Sequence, residues 1–275
     1  MLQQSILTKK ETEMKSYIYL SDIHANYEAL KHLDELPEMQ DDTCQFRFGG
    51  DYIDGYDLQK NATINTIRYI KNLCDKGKAK AILGNHDQFI LDAAFNPYKE
   101  NWWYYNGREQ TLENLGIPYA NGSDLRELLL YYYHEELNWL KSLPYYIEDK
   151  NNILVHAGFD LDIGINDQSI DCLLWTRNPY IRFFNEETEL HSDFHHKTII
   201  TGHTPTIGIV KNEKKECEII KDQNPLLTRY FIDGGSKSGL NKGRINLLKI
   251  DENGNEIWKA YLDTSGVHIL TTNEK

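Results

Sequence analysis

Residues 17–24, YIYLSDIH, decide how this chain is read: four apolar residues suited to a buried strand run directly into a serine, an aspartate and a histidine. Working outward, Tyr27–Leu36 places apolar side chains at helical spacing, and the pattern then repeats. Cys44–Phe48 reads as a second strand, halted by Gly49 and Gly50, and Leu58–Leu73 as a helix with Ile64, Ile67, Ile70 and Leu73 on one face. Ala79–Leu83 reads as a third strand, stopped by Gly84, with a helix over Gln88–Phe95. A strand-loop-helix order met three times predicts a parallel sheet with right-handed crossovers.

Beyond Tyr145 strands dominate, over Ile153–His156, Thr198–Thr201, Glu216–Ile220, Arg229–Asp233, Ile245–Ile250, Ile257–Leu262 and Val267–Leu270. Asp251–Asn255 has turn composition and joins two antiparallel strands. The order predicts an α/β fold with two sheets packed face to face and flanked by helices. Residues 96–144, with WWYY and YYYH, form a helical and aromatic insert. Residues 1–14 are polar and aperiodic and read as a flexible N-terminal extension, leaving one domain over 15–275.

Composition narrows the classes. Hydrophobic residues make up 40% and charged residues 26%, which suits a globular chain with a sizeable core. No apolar run approaches the roughly 20 residues that span a bilayer. The formal net charge of −12 argues against general binding to nucleic acid or to an anionic membrane. Four scattered cysteines without paired spacing, and no leader-like N-terminus, predict reduced thiols and a cytoplasmic location. The oligomeric state is left open by the sequence.

The polar residues fall at strand ends. The first strand runs into Asp22 and His24, the second into Asp51 and Asp54, the third into Asn85, His86 and Asp87, and two later ones into His156 and His203. Ligands of open α/β sheets bind outside the carboxyl ends of strands. Carboxylate, imidazole and amide oxygen without thiolate favour manganese, with iron or zinc as alternatives. In Asp22-x-His24, strand alternation is expected to point both side chains one way. Crowded carboxylates repel unless cations balance them, and two cations roughly 3.5–4 Å apart can share one carboxylate and activate water.

The series SDIHAN, GGDYIDG, GNHD, VHAG and GHTP resembles the calcineurin-like metallophosphoesterases, in particular their bacterial branch similar to phosphoprotein phosphatases. Residues 138–158 and 171–181 share the likeness. The resemblance implies a four-layer α/β/β/α sandwich of two mixed sheets with a dimetal site at the C-terminal strand edge. It implies that Asp22 and His24 bind one metal, that Asp51 bridges, and that Asn85, His156 and His203 complete the second site. It further implies that His86 protonates the leaving oxygen while Asp54 holds its ring, a carboxylate partner raising the imidazole pKa. Arg177, and Asn85 beside the metals, would hold the substrate phosphate. The implied reaction is attack of metal-bound hydroxide on a phosphomonoester, including phosphoserine or phosphothreonine on proteins, without a covalent intermediate.

Gly55 departs from the family, which carries a phosphate-gripping arginine there; Arg108 is a candidate replacement. Asp87, where protein phosphatases usually have glutamate, is similar to the dinucleoside tetraphosphatases, so hydrolysis of diadenosine tetraphosphate is the second reading. A non-catalytic phosphate-binding module is the third. His191, His195 and His196 read as a solvated loop, Trp102–Tyr105 as packing inside the insert, and Gly234–Ser236 with Gly239 as a strand-to-strand turn.

Overall fold

In the computed structural model, residues 14–55, 59–99, 102–117, 120–177, 190–209, 216–223, 225–238 and 244–272 are described. Residues 1–13, Leu58 and Gly239, each named above, lie outside them, as do residues 178–181. Two mixed sheets carry the fold. The first is six-stranded, in the order β11-β10-β9-β1-β2-β3. It comprises β1 (Ser16–Leu20), β2 (Cys44–Phe48), β3 (Ala79–Ala81), β9 (Ile245–Asp251), β10 (Glu256–Asp263) and β11 (Gly266–Thr272). The second is five-stranded, in the order β4-β5-β6-β8-β7, from β4 (Tyr146–Glu148), β5 (Asn152–Val155), β6 (Lys197–Thr201), β7 (Ile220–Gln223) and β8 (Leu227–Phe231).

Strand alternation builds the layers. Tyr17 and Tyr19 of β1 face inward to Leu154, Ile200 and Tyr230 of the other sheet and to Leu248 and Ile250 of β9. Ile18 and Leu20 point the opposite way, into a core with Ile64, Ile67 and Ile70 of α2 (Ala62–Asp75) and Phe89 and Ile90 of α3 (Asn85–Phe95). On the far side of the second sheet, Ile153, Val155 and Ile199 pack with Leu173 of α6 (Ile170–Trp175) and with Phe194. The order helix, sheet, sheet, helix is the four-layer sandwich that the sequence implied.

One charged pair crosses the inter-sheet layer. Arg47, buried on the inward face of β2, donates from Nε and Nη2 to the Asp149 carboxylate at 2.8 and 2.9 Å, and its guanidinium lies 4.5 Å from the Tyr17 ring centroid.

Several boundaries differ from the sequence reading. The expected helix over 27–36 is α1 (Tyr27–Leu30) followed by a tighter 3-10 turn over Lys31–Glu35, ended by Pro37 two residues on. Residues 216–219 are irregular, and β7 begins where the expected strand ended. β8 lies two residues earlier than expected, and β4 was missed because Tyr146–Glu148 is too short to show a pattern. The βαβ half and the strand-rich half do not each form one sheet. β9 lies antiparallel to β1, so the last three strands return to the first sheet. Between α3 and β4 lie a 3-10 turn at Trp102–Tyr105, α4 (Arg108–Asn114) and α5 (Gly122–Lys141).

Candidate metal centre

The ends of β1, β2 and β3 of the first sheet and of β5 and β6 of the second meet at one end of the sandwich. Asp22, His24 and Asp51 each offer a ligand atom within 4.8 Å of the others. The Asp51 carboxylate stands between two imidazoles, its Oδ2 at 3.6 Å from His24 Nε2 and its Oδ1 at 3.5 Å from His156 Nε2. Asn85 Oδ1 lies 2.8 Å from His156 Nε2 and 3.0 Å from His203 Nδ1. All six side chains are buried.

The hydrogen bonds assign the tautomers. His24 Nδ1 lies 2.8 Å from the Ile53 carbonyl, and His156 Nδ1 the same distance from that of Gly49. A carbonyl only accepts, so each Nδ1 carries the proton and each Nε2 presents a lone pair. Those lone pairs face carboxylate and amide oxygens, which are also acceptors. The Nε2 of His203 is buried without a partner. Acceptors facing acceptors in a buried site repel unless cations lie between them, so this donor set fits divalent metal. Burial pushes the Asp22 and Asp51 carboxyls upward, Asp51 also through the charge of Asp22, and it pushes the His24 and His203 imidazoles down, His203 to about 2.

The convergence does not arise from strand alternation, as expected for Asp22 and His24. β1 ends at Leu20, and Asp22, His24, Asp51, Asp54 and His203 all adopt left-handed backbone with φ between 48° and 67°. Such conformations cost of order 1–3 kcal/mol each and persist where surroundings over-determine them. Part of that determination is a close backbone approach. A Cβ on Gly202 would overlap the Asp22 carboxylate, and one on Gly84 would overlap Asp51. The Asp22 oxygens accept from the His203 amide at 3.0 Å, and Asp51 Oδ1 accepts from the amide of His86 in the first turn of α3 at 2.9 Å.

Beside this cluster His86 Nδ1 lies 2.6 Å from Asp54 Oδ2. The other Asp54 oxygen accepts from Trp103 Nε1 at 2.8 Å and Thr111 Oγ1 at 2.6 Å. The expectation that the carboxylate raises the His86 pKa is not met. Burial, then the Lys237 charge, hold His86 well below its ordinary value, while burial pushes Asp54 up to about 7. Trp103→Phe removes a hydrogen bond that holds Asp54 down. The acid limb of the pH–rate profile is expected to move to higher pH, because the carboxylate is then lost sooner as pH falls, and kcat to drop about tenfold. A pH series of kcat on the variant checks this.

Arg177 donates from Nη1 to Thr204 Oγ1, next to His203, and its charge reaches Asp22, Asp233 and His203. Arg108, the candidate replacement for Gly55, is buried at the start of α4. It donates to the Ala120 carbonyl and, at 2.7 Å, to Asn121 Oδ1. Trp102, Tyr104 and Tyr105 are exposed rather than packed inside the insert; Trp103 alone of the four is buried. His195 and His196 are exposed, and a 3-10 turn, not a plain strand-to-strand turn, covers Ser236–Ser238.

Several residues escaped the sequence reading. Asp87, given no role there beyond its strand-end position and its subgroup mark, accepts from the amides of Asp51, Tyr52 and Gly84 at 2.8, 2.9 and 3.0 Å, tying two strand-end turns together. Buried Asp233 follows β8 as Asp22 follows β1, and the strand-end rule that found the others would have found it. Lys237 Nζ lies 3.0 Å from His86 Nε2, a contact no local pattern signals. A cavity of about 710 Å³ has Phe89, Trp102, Tyr145 and Trp175 among its walls. Phe89 meets both the His86 ring, at 5.4 Å, and the Trp175 ring, at 5.5 Å.

Comparison with known proteins agrees with this geometry. The family model for calcineurin-like phosphoesterases matches residues 16–217, so the chain belongs to that family. A symmetrical bis(5'-nucleosyl)-tetraphosphatase of Ralstonia nicotianae is 31% identical over 114 residues, a match covering 41% of this chain and 32% of that relative. Among solved structures, a candidate diadenosine tetraphosphatase superposes with a TM-score of 0.55 at 17% identity, over 91% of this chain and 95% of the other. A cold-active protein-tyrosine phosphatase of a psychrophilic Shewanella species gives 0.51 at 16% identity, over 94% and 81%. At such identities the two structures speak for the fold alone. Among the described residues no helix is long and apolar enough to cross a membrane.

Proposed function

We propose that this chain is a two-metal phosphoesterase, with Asp22, His24 and Asp51 holding one ion and Asp51, Asn85, His156 and His203 the other. The observation that carries this reading is the convergence of the His24 and His156 lone pairs on one buried carboxylate. Two divalent ions there, manganese by donor chemistry with iron or zinc as alternatives, would supply Lewis-acid charge and an activated water. Arg177 would orient the phosphate by its planar fork. His86 would deliver a proton at Nε2 to the leaving oxygen, with Asp54 fixing the ring through Nδ1. The four free cysteines suit a reducing, cytoplasmic setting.

For the substrate, the aromatic-walled cavity favours a phosphate ester carrying a planar base, such as diadenosine tetraphosphate, over a phosphoserine or phosphothreonine side chain. Phe89 joins the wall of this cavity to the His86 ring, and Trp102 offers an exposed face for stacking. The partial likeness to a nucleosyl tetraphosphatase points the same way. Manganese-loaded enzyme is expected to cleave diadenosine tetraphosphate faster than a phosphothreonine peptide. Trp102→Ala is expected to raise KM for the dinucleotide about tenfold while leaving the peptide's unchanged. Preference for the peptide, with no effect of the variant, would return the substrate to phosphomonoesters on proteins.

A further inference from the structure

The cleft around His86 is crowded with buried carboxylates, Asp22, Asp51, Asp54, Asp87 and Asp233. A phosphate entering such a place must meet fixed positive charge besides the metals, and Lys237 is placed to supply it. Its Nζ lies 3.0 Å from His86 Nε2 and 3.3 Å from the Asn106 carbonyl. With the Nδ1 proton directed at Asp54, Nε2 accepts from the ammonium. Two of the three ammonium protons are thus used on neutral acceptors, and one remains for an anion.

The lysine is also held rather than loosely placed. Its 3-10 turn, Ser236–Ser238, is fastened to the loop that carries Asp22 and His24, Ser236 Oγ donating to the Ile23 carbonyl at 2.9 Å and accepting from Asn26 Nδ2 at 3.3 Å. The Gly235 amide donates to Asp233 Oδ1 at 2.8 Å, which sets the direction of the turn. The plainer account is that Lys237 only ties the Asn106 loop to this turn, or dilutes the carboxylate charge. An ammonium serving charge balance alone would rest on a carboxylate; Lys237 instead donates to an imidazole nitrogen and a peptide carbonyl.

We propose that Lys237 is a substrate-binding residue, an ammonium that grips a phosphate oxygen beside Arg177 and supplies the positive charge that Gly55 cannot. The assignment rests on the phosphoesterase reading above. When an anionic oxygen draws the ammonium away, the Nε2 of His86 is freed, and it takes up a proton from solvent before it can protonate the leaving oxygen.

The test uses the full chain loaded with manganese, as wild type, Lys237→Ala, Lys237→Met and Lys237→Arg. Binding of inorganic phosphate is measured by calorimetry, KM and kcat with p-nitrophenyl phosphate, and the melting temperature alongside. Loss of the charge is expected to weaken phosphate binding and raise KM about 10- to 100-fold, with arginine restoring most of both. The methionine variant, which keeps the apolar stem, gives the same readout should the alanine variant not fold. Phosphate binding within twofold of wild type in either neutral variant overturns the proposal. So does an arginine variant as impaired as alanine, with both melting lower, which marks a structural lysine. If the wild type turns over no phosphate ester yet binds phosphate through Lys237, the hydrolase reading fails and this one stands.

Discussion

His86→Ala is expected to lower kcat by about 10²–10⁴-fold on substrates with poor leaving groups. The loss should shrink for p-nitrophenyl phosphate, whose leaving oxygen needs little protonation. Asp54 at 2.6 Å fixes the Nδ1 side, and Nε2 is the only ring nitrogen left to exchange a proton with substrate. The backbone amide of His86 also donates to Asp51, a contact that the alanine variant keeps. Metal content measured by elemental analysis should therefore stay at the wild-type level. An equal loss on both kinds of ester would mean that His86 acts on phosphate binding, and a fall in metal content would mean that it supports the cluster.

The second large effect concerns stability. Arg47→Ala should reduce the free energy of unfolding by about 3–5 kcal/mol, read from denaturant melts, because it leaves Asp149 charged and unpaired in the inter-sheet layer. The guanidinium is almost fully buried, paired at two nitrogens and lies against Tyr17. Replacing both partners together, as Arg47→Met with Asp149→Leu, should recover much of the loss, since no buried charge is then left alone. A single variant as stable as wild type would show that water reaches Asp149.

Much of the fold was legible because its signals are local. β1 and β2 are short apolar runs ended by polar or glycine residues, and α2 carries its isoleucines at helical spacing, so type and order could be read directly. The return of β9 to the flank of β1 could not, because pairing across most of the chain leaves no trace in either segment. At the centre, Asp22, His24, Asp51, Asn85, His156 and His203 were legible as polar residues at strand ends, and the structure gathers all six. Their orientation was not, since left-handed backbone at Asp22 and His24 is imposed by neighbours such as Gly202 rather than by the residues themselves. Trp103, Thr111 and Lys237 reach His86 and Asp54 from distant segments, and only the folded chain shows that they meet.

The place of β9 bears on how this chain leaves the ribosome. Ser16 pairs with Asp251, so the first strand synthesised keeps one edge open until nearly the last strands emerge. At about 5–20 residues per second, that wait lasts on the order of tens of seconds. Throughout it, Ile18 and Tyr19 lie beside a row of unpaired backbone groups, the kind of edge on which nascent chains join one another. Early docking of β2 and β3 covers the opposite side only. Yield in a fast-translating host should therefore depend on holdase capacity more than the finished protein's stability would suggest.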